Sequence, residues 1–579
     1  MSIKRQTPAV EAAQRAQECI NHYIDHHQSF RLEAGAGAGK TYSLVQALRR
    51  LISERGLKYV RQGQRVACIT YTNVAKREIL HDIDEHPAVI VETIHAFCWG
   101  CMVQFQTVLR KKIMQLQRYA EKIAEAGGVG NRRIEYELGY FDIYDDRITL
   151  HHDDIPELMA LFLALPKFQR IFTNTYPILF IDEYQDTNDK FMGALARCFM
   201  EPKQGPLIGL FGDHWQTIYR NDFDLSVLPN MKEIAKGSNF RSVPAVVDML
   251  NRLRPTLPQV VDDETALGEA RAFHTNSYAG ERTNTAHSKH DTPPEITRGY
   301  INALCNQLQD EGWDFSPKVT KVLMLTHAAL AAEQGYPSIV EIFKSHPDAI
   351  SKLDDATLGF LGRIVEPMCE AYNAKKYGQM FDVLGQGGNL TKSSEKQSWA
   401  NNMITLNTLR ENGTVGEVLD YLKQTQRPRL PDNVMRRENN MATFDQSGEK
   451  TEKLSVNRHR RLRDVKYSEV VNLVRFVEGH TPFSTLHNVK GAEFENVLVI
   501  FGGGWNHYNW PRMLEYMAPG AEPTTAHKQG FARARNLFYV SVSRPKRRLA
   551  VLFTQTMSKK SLKVLNLLFD NKVTAVELP

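Results

Sequence analysis

Two short stretches of the sequence combine residue types that bind phosphate and metal ions. The first is AGAGAGKT, Ala34 to Thr41, whose glycines let the backbone turn tightly so that several N–H groups point at one anion. Within it, Lys40 supplies a cation for β and γ phosphates, and Thr41 supplies a hydroxyl for Mg²⁺. The second stretch, LFIDEYQDT, places Asp182 and Glu183 directly after an apolar run. These carboxylates predict a metal ligand, Asp182, and a group that polarises an attacking water, Glu183.

The elements around these residues must bring the two stretches together. A short strand, a glycine loop and a helix start are predicted around Lys40, which argues against an incidental glycine-rich turn. Further buried strands are predicted at RVACIT (65–70), AVIVET (88–93), PILFIDE (177–183) and PLIGLFGD (206–213). Short apolar strands separated by helices indicate a parallel sheet, which gathers functional groups at the carboxyl ends of its strands. The pattern recurs in KVTKVLMLTH, VLVIFGGG and RRLAVLFT, so a second α/β unit is expected.

Bulk properties narrow the class of protein. A chain of 579 residues is too long for a single hydrophobic core. Its net charge of +6 is mild and permits a nucleic-acid partner without requiring one. Seven cysteines, an odd number spread along the chain, do not fit a disulfide framework. With neither an apolar signal core at the N-terminus nor a run of about 20 apolar residues, we expect a multidomain cytoplasmic protein with no membrane partner.

The separation between the two phosphate-site stretches carries further information. Lys40 and Asp182 are 142 positions apart, since 182 minus 40 is 142. A compact nucleotide kinase rarely needs so long a separation, which favours a motor-type core with an inserted subdomain.

Eight boxes, in order along almost the whole chain, resemble the motifs of superfamily 1A helicases of the UvrD/Rep/PcrA type. They are AGAGAGKT, CITYTNVAKREI, VETIHAFC, IDEYQDTN, FGDHWQTIYR, SNFRS, STLHNVKGAEFENVLV and RNLFYVSVSRPKRRL. The resemblance implies an α/β fold of two RecA-like P-loop NTPase lobes, whose parallel sheets are flanked by helices, with a helical insertion in each lobe. Lobe 1A is expected at residues 1–99 and 170–234, insertion 1B at 100–169, lobe 2A at 235–335 and 478–579, and a reduced insertion 2B at 336–477.

The resemblance also implies roles for individual residues in the use of ATP and Mg²⁺. It assigns catalysis to Lys40, Asp182, Glu183, Gln216, Arg241 and the arginine finger Arg544. It assigns nucleotide binding to Gln17, Ala34, Gly35, Ala36, Gly37, Ala38, Gly39, Lys40, Thr41, Phe240 and Glu493, and Mg²⁺ to Thr41 and Asp182. Phe240 would stack on adenine, Glu493 would hold the ribose and Gln17 would read the base. It assigns DNA to Tyr71, Thr72, Asn73, Thr93, His95, Tyr219 and His487. Stacking and polar groups of this kind suit a single strand bound without sequence preference.

Two departures from the family pattern keep two functions open. The coupling box continues as IYRNDFDLS, so that Asn221 and Asp222 stand where the family has an aromatic residue and an arginine, although Phe223 lies close by. The short second insertion resembles the helicase-like subunits of bacterial anti-phage systems of the Gabija type, which work beside an OLD-family nuclease. The resemblance therefore implies a 3′-to-5′ DNA translocase or helicase acting on single-stranded or 3′-tailed DNA. The alternative is a DNA-activated ATPase that acts as a sensor or regulatory subunit and unwinds little; a third reading is a P-loop ATPase with no nucleic-acid role.

Several polar segments have less specific interpretations. The pair Cys98 and Cys101 in CWGC is predicted to be helical rather than metal-binding, since no second pair completes a site. HHDD at 151–154 is expected to be a solvated loop, and flexible connections are expected at 271–294 and 427–453. The basic run NRHRRLRDVK at 457–466 is either a solvated helix face or a surface for duplex DNA or a partner protein.

Overall fold

The computed structural model describes residues 6–136, 141–217, 228–285, 288–325, 327–344, 349–350, 353–384, 393–447, 452–486, 489–502 and 508–578. The chain divides into two compact units. Unit 1 comprises Met1–Arg271, His507–Leu549 and Lys559–Lys572, and unit 2 comprises Ala272–Asn506, Ala550–Ser558 and Val573–Pro579. Within these described ranges, no helix has both the length and the apolar character needed to cross a lipid bilayer.

The strands are, in chain order, β1 (Phe30–Ala34), β2 (Val66–Thr70), β3 (Val89–Thr93), β4 (Arg133–Glu135), β5 (Asp142–Ile143), β6 (Arg147–Thr149), β7 (Ile178–Asp182), β8 (Leu207–Gly212), β9 (Lys232–Lys236), β10 (Ser238–Asn239), β11 (Val260–Val261), β12 (Glu269–His274), β13 (Thr283–Thr285), β14 (Ser288–Asp291), β15 (Thr320–Met324), β16 (Phe483–Thr485), β17 (Phe494–Phe501), β18 (Pro545–Phe553) and β19 (Val573–Ala575).

The α-helices span Pro8–Asp25, Lys40–Gln62, Asn73–Asp82, Ile94–Met102, Gln106–Ile113, Gln117–Glu125, Asp154–Leu163, Pro166–Thr175, Asp189–Leu195, Pro244–Leu253, Pro294–Asp310, His327–Gln334, Pro337–Ile342, Ala356–Phe360, Glu366–Asn373, Tyr377–Val383, Ser393–Asn412, Val415–Thr425, Asp432–Ser447, Leu454–Arg463, Tyr467–Val477, Trp510–Tyr516, Lys528–Val542 and Lys559–Leu568. Short 3₁₀ turns lie at Tyr184–Asp186, His214–Gln216 and Thr525–His527, and π turns lie at Ala196–Met200 and Leu361–Val365.

Two six-stranded sheets organise the fold, in the orders β3-β2-β7-β8-β1-β9 and β16-β15-β17-β18-β12-β19. Every strand pair of the first sheet is parallel. In the second sheet β15 is parallel to β16 and to β17, and β12 is parallel to β19. The predicted α/β fold of two parallel sheets flanked by helices is confirmed, and it fits two RecA-like lobes.

The inner strands of the first sheet, β1, β2, β7 and β8, are buried along their whole length, which explains their largely apolar sequences. All five residues of β7 are buried, and successive residues face different cores. Ile178 and Phe180 pack in the core that contains Phe30 of β1, whereas Leu179 and Ile181 pack in the core that contains helix Ile94–Met102. This alternation is the two-residue period of a β-strand. Because these strands are parallel, the carboxyl ends of β1, β7 and β8 lie at one edge of the sheet.

Three segments, two polar connections and the first insertion, contain more regular secondary structure than the sequence predicts. The expected loop at 271–294 contains the hairpin β13–β14, and Arg282 fixes its base by donating hydrogen bonds to the carbonyl oxygens of Thr275 (2.6 Å) and Thr554 (2.8 Å). The expected flexible segment at 427–453 forms helix Asp432–Ser447. The insertion at 100–169 adds the sheet β4-β6-β5 to its helices. Short strands paired through local hydrogen bonds leave little apolar periodicity in a sequence.

The expectation of a solvated loop at 151–154 holds for His152 and Asp153, which are exposed, and is wrong for Asp154. Asp154 is fully buried at the start of helix Asp154–Leu163, where it accepts hydrogen bonds from the Tyr119 hydroxyl (2.5 Å) and the His151 amide (3.1 Å). Its neighbour His152 stacks on His95, with 3.4 Å between ring centres. The side chains that receive this segment come from distant parts of the chain, which a local composition argument does not detect.

The basic run at 457–466 is largely neutralised within unit 2. Arg460 pairs with Asp445 and Glu452, and Arg463 pairs with Asp420 and Glu438. In the same helix, buried His459 lies 2.7 Å from a Glu438 oxygen. This part of the run therefore stabilises the helical region instead of offering a row of unpaired cations.

A second buried ion pair fixes the helices of this region. Arg410 of helix Ser393–Asn412 donates from Nε and from one terminal nitrogen to the two oxygens of Glu366, which is 1% exposed, with 2.8 Å between Arg410 Nε and Glu366 Oε1. Arg410 also donates to Asn407 Oδ1 at 2.6 Å. Leaving Glu366 buried without its cation would be costly, because a charge out of water has no other compensation.

We expect Arg410→Met to lower the opening free energy of helices Glu366–Asn373 and Ser393–Asn412 by about 3 kcal/mol, because it strands a buried carboxylate. Native-state hydrogen exchange of the amides in these two helices measures this loss. The matched control is Arg429→Met, since the Arg429–Asp432 pair is 75% and 87% exposed and should contribute little. Equal protection in the two variants would contradict the assignment.

Candidate active site

The chain turns from β1 into helix Lys40–Gln62 through a loop that requires glycine. Gly37 and Gly39 have φ of +75° and +72°, a region that is costly for residues with a Cβ atom. A Cβ on Gly37 would also lie 2.7 Å from the Cβ of Arg241. The helix begins at Lys40, so its unpaired N–H groups and positive dipole end face the loop. This is the backbone arrangement that binds phosphate.

A second segment holds the carbonyl groups of the same loop. The Lys236 ammonium donates to Gly39 O (2.7 Å) and Ser43 Oγ (2.8 Å), and Ser238 donates to Ala38 O (3.1 Å). Asn239 and Gln259 both donate to Ala36 O at 3.1 Å. Because its carbonyls are bound from one side, the loop is fixed in a single conformation.

Lys40 lies among acidic side chains at the ends of β7 and β8. Its Nζ donates to Glu183 Oε2 at 2.9 Å. Burial alone would lower the pKa of Lys40, but the charges of Glu183, Asp213 and Asp182 raise it above its ordinary value. Burial, followed by the charge of Glu183, raises the pKa of Asp182. Asp182 is therefore a buried carboxylate that gains from any further cation placed beside it.

Glu183 adopts a backbone conformation that is unusual for its residue type, with φ +49° and ψ +47°. Its side chain accepts hydrogen bonds from Lys40 and from the Gln185 amide. Gln185 Oε1 in turn accepts from the Asp213 amide at 3.1 Å, which connects the ends of β7 and β8. Non-glycine residues with positive φ are held only where surrounding contacts determine them, as here.

The other predicted nucleotide-binding residues of unit 1 lie near the loop or carry an unsatisfied group. Phe240 is 45% exposed, and its ring lies 3.8 Å from the position of a Cβ built on Gly39. Gln17 donates to Asn21 Oδ1 at 3.4 Å, whereas its own Oε1 is buried and has no hydrogen-bond partner among the described residues. An orphaned buried acceptor fits an amino group such as that of adenine. The donor set of Thr41 and Asp182 fits Mg²⁺, which prefers oxygen ligands.

Two predicted arginines converge after helix Lys528–Val542. Arg544 is 1% exposed and donates from Nε to Val540 O (2.8 Å) and from one terminal nitrogen to Ser543 Oγ (3.0 Å). Arg241 donates to Ser543 O at 3.0 Å. Burial and the charge of Arg241 lower the pKa of Arg544 to about 9. Cations buried beside one another are stabilised by an anion of high charge.

A buried network that the sequence reasoning missed connects the ends of β1 and β8. Glu33 accepts from His214 Nδ1 (2.8 Å), from the Tyr184 hydroxyl and from Arg254 (3.4 Å). Arg254 also pairs with Asp213 at 2.6 Å. Ligand atoms of Glu33, Asp213 and His214 lie within 4.8 Å of one another, but the Arg254 guanidinium already supplies the positive charge there. The available sequence signal was the position of two acids at strand ends, Glu33 near the end of FRLEA and Asp213 directly after LIGLFG.

Gln216, the predicted coupling residue, belongs to this network. It is buried, and its amide donates to Asp213 Oδ2 at 2.9 Å. Asp213 Oδ1 also accepts from the Trp215 amide at 3.0 Å. One carboxylate thus organises the whole turn at His214–Gln216.

The predicted DNA-contact residues of unit 1 follow β2 and β3 at the same edge of the sheet as Lys40. Tyr71 is 48% exposed. The Thr72 hydroxyl caps helix Asn73–Asp82 by accepting from Ala75 N at 3.1 Å, and Asn73 opens that helix on the surface. Thr93 precedes helix Ile94–Met102 without a side-chain cap. Burial and the neighbouring His152 lower the pKa of His95 to about 4, so His95 is neutral at neutral pH and suited to stacking.

Three further predicted site residues lie in unit 2 or outside the described residues. Glu493 lies in unit 2, exposed, directly before β17. Tyr219 and His487 fall outside the described residues, as do Asn221, Asp222 and Phe223. The cysteines of CWGC are helical thiols, as predicted; burial raises the pKa of Cys98 well above its ordinary value and that of Cys101 to about 12.

Comparison with known families agrees with this geometry. The model of an AAA domain matches residues 16–222, and the model of a UvrD-like helicase C-terminal domain matches residues 360–556. The chain is therefore a UvrD-like helicase. It is 23% identical to the Gabija protein GajB of Bacillus cereus (strain HuB5-5), in an alignment that covers 96% of this chain and 97% of that protein.

We expect the Glu33 network to give a stability that depends on pH. Although burial opposes it, hydrogen bonds and charges from His214, Tyr184 and Arg31 lower the pKa of Glu33 from 4.5 to about 2. A lowered carboxyl pKa contributes stability above pH 4.5 that is lost as the pH falls towards 2. The shift corresponds to roughly 3 kcal/mol.

Urea unfolding of the wild type and of Glu33→Gln at pH 6, 5, 4 and 3 is the measurement. The wild type should be the more stable at pH 6 and pH 5, and its advantage should shrink at pH 4 and further at pH 3. Glu11→Gln is the control, because the Glu11–Arg15 pair is largely exposed. An advantage that stays constant over this range would show that ionised Glu33 is not the source.

Proposed function

We propose that this chain is an ATP-dependent DNA translocase that hydrolyses ATP at the Lys40 loop while it tracks single-stranded DNA, within a Gabija-type antiviral defence system. The observation that carries the proposal is the clustering of Lys40, Asp182 and Glu183 at the carboxyl edge of a parallel sheet. Membership of the UvrD-like helicases and the similarity to GajB support it.

The residues have distinct tasks in hydrolysis. The loop amides and Lys40 bind the β and γ phosphates, and Phe240 and Gln17 bind the base. Thr41 and Asp182 would hold Mg²⁺, which would supply positive charge beside the phosphate oxygens. Glu183 accepts a proton from the attacking water, for which its carboxylate must first leave Lys40. Arg241 and Arg544 stabilise the charge that develops on the transferred phosphoryl group.

Several groups support DNA as the polymer that the motor follows. Tyr71 offers an exposed ring on which a base can stack, and Asn73 and Thr93 offer polar groups for the backbone. The 3′-to-5′ direction is part of the proposal on the basis of the family resemblance alone. Strand displacement from duplexes with a 3′ or a 5′ overhang tests the direction, and DNA-stimulated hydrolysis without displacement would favour a sensor that unwinds little.

A nuclease partner is also part of the proposal. The similarity to a Gabija protein supports a role in anti-phage defence, and the resemblance stated above suggests an OLD-family nuclease as the partner. Co-purification with the product of a neighbouring nuclease gene tests this assembly.

We expect Lys40→Ala to abolish ATP hydrolysis and to leave binding of single-stranded DNA largely intact, because it removes the phosphate cation and none of the predicted DNA contacts. Steady-state hydrolysis with and without single-stranded DNA, together with fluorescence anisotropy of a labelled oligonucleotide, measures both properties. Lys58→Ala, an exposed lysine of the same helix, is the control and should retain hydrolysis. Normal turnover in Lys40→Ala would rule out the assigned site.

We expect Arg544→Ala to bind ATP but to turn it over more slowly by a factor on the order of 10³, as for other arginine fingers. Single-turnover hydrolysis and equilibrium binding of a fluorescent ATP analogue separate the two effects. Arg547→Ala, an exposed arginine three residues further on, should behave like the wild type. If the two variants hydrolyse ATP equally fast, Arg544 does not act in the transition state.

A further inference from the structure

A cavity in the helical region of unit 2 has the size of a small-molecule site. It encloses about 470 Å³, which lies within the usual range of ligand pockets in proteins. Helices supply its apolar walls, and the chain segment that follows helix Val415–Thr425 supplies its cations. We call this cavity the arginine pocket and define it by Phe360, Ile364, Trp399, Arg427, Pro428 and Arg429.

An irregular helical turn forms one wall of the arginine pocket. Phe360 ends helix Ala356–Phe360, and Ile364 lies in the π turn Leu361–Val365 that follows directly. Single π turns in helices are rare and occur frequently at functional sites. The departure from regular helix geometry thus falls at the wall of a ligand-sized cavity.

Trp399 gives the arginine pocket an aromatic wall that its neighbours hold in place. The Trp399 ring meets Phe381 at an angle of 79°, with 5.5 Å between ring centres. The guanidinium carbon of Arg427 lies 5.3 Å from the centre of the Trp399 ring, within the range of cation–π attraction. A ring that is already ordered can pack against a ligand at a lower entropic cost than a mobile one.

Arg427 is a half-buried cation without a carboxylate partner among the described residues. One of its terminal nitrogens donates to Ser398 Oγ at 2.6 Å. Elsewhere in the same helical region the fold supplies an acid to a buried arginine, as Glu366 does for Arg410. Because a guanidinium has five N–H donors in a planar fork, Arg427 retains donors for an anion.

The charge balance of the arginine pocket also favours an anion. Arg429 lines the pocket, and its pair with Asp432 is largely exposed and therefore weak. Among the described residues, the lining includes no acidic side chain. The pocket thus combines apolar walls and an aromatic ring with two cations.

We propose that the arginine pocket binds a small organic anion in which an aromatic ring carries a phosphate or a carboxylate. The ring packs against Trp399, Phe360 and Pro428, and Arg427 donates hydrogen bonds to the anion. Charge-assisted bonds from arginine to these two anionic groups are strong and frequently bidentate. The inference goes beyond the proposed function, because the pocket lies in unit 2 and uses no residue of the Lys40 site.

The test is calorimetric titration of the full-length chain with naphthyl phosphate, a fused aromatic ring that carries one phosphate. A saturating non-hydrolysable ATP analogue with Mg²⁺ is present throughout, so that the Lys40 loop does not take up the probe. Arg427→Met should weaken binding by about 10-fold, because it removes charge-assisted hydrogen bonds, and Arg427→Lys should weaken it less. The matched control is Arg436→Met, which removes an exposed arginine of helix Asp432–Ser447 and should bind like the wild type.

A second comparison uses the wild type alone and decides the question even if Arg427→Met does not fold. Naphthol has the same ring without the anion and should bind about 10-fold more weakly than naphthyl phosphate. Equal binding of the two probes, equal binding by the wild type and Arg427→Met, or no binding of naphthyl phosphate to the wild type would each overturn the proposal.

Competition then distinguishes two sources of the same ligand chemistry. Displacement of naphthyl phosphate by thymidine monophosphate supports the proposal with a nucleotide as the ligand. Displacement by naphthoate, without displacement by the nucleotide, supports it with an aromatic carboxylate.

Discussion

The buried positive charge of Lys40 is the constraint on which the candidate site depends. A cation out of water needs carboxylates nearby, and the fold supplies them from the carboxyl ends of β7 and β8. Glu183, the closest, reaches Lys40 from a backbone conformation with positive φ. In the proposed hydrolysis the same carboxylates have other tasks, Asp182 at Mg²⁺ and Glu183 at the attacking water. In that proposal, a bound polyphosphate would replace Glu183 as the partner of Lys40 and free the Glu183 carboxylate to act on water.

Other buried cations around the phosphate loop also need negative charge nearby. Arg544 is buried beside Arg241. Lys236 donates to the carbonyl oxygen of Gly39 in the loop, and burial lowers the pKa of Lys236 to about 8. Arg254, in contrast, is paired with Asp213 and Glu33. Because burial makes the charged forms of Arg544 and Lys236 costly, a multiply charged anion such as a nucleoside triphosphate would stabilise them.

Much of this arrangement is readable from the sequence, because it follows from local patterns. Buried strands with continuous apolar residues, glycines that need positive φ and acids directly after strands all leave marks within a few residues, as around Lys40 and Asp182. The pairing of Glu33 with Arg254 and that of Arg535 with Trp215 could not be predicted, because each joins residues that are far apart in the chain. The same reason explains why Asp154 and the arginines at 457–466, expected to be solvated or to bind a partner, are structural.

The helical region of unit 2 shows how a basic, breaker-rich sequence can be fully structural. Its core is apolar, and buried pairs such as Arg410–Glu366 and Arg463–Glu438 fix the helices relative to one another. Buried ion pairs contribute modestly to net stability but are costly to break. A region built this way tolerates few changes in its interior charges, and any surface for a partner must be sought among its exposed residues.

The most direct test of the central claim is the structure of this chain with Mg²⁺ and a non-hydrolysable ATP analogue. The account predicts that Lys40 Nζ leaves Glu183 and contacts the β and γ phosphates, while Asp182 faces the metal ion and the Glu183 carboxylate turns toward the water opposite the γ-phosphate. An analogue bound elsewhere, with Lys40 still paired to Glu183, would contradict it.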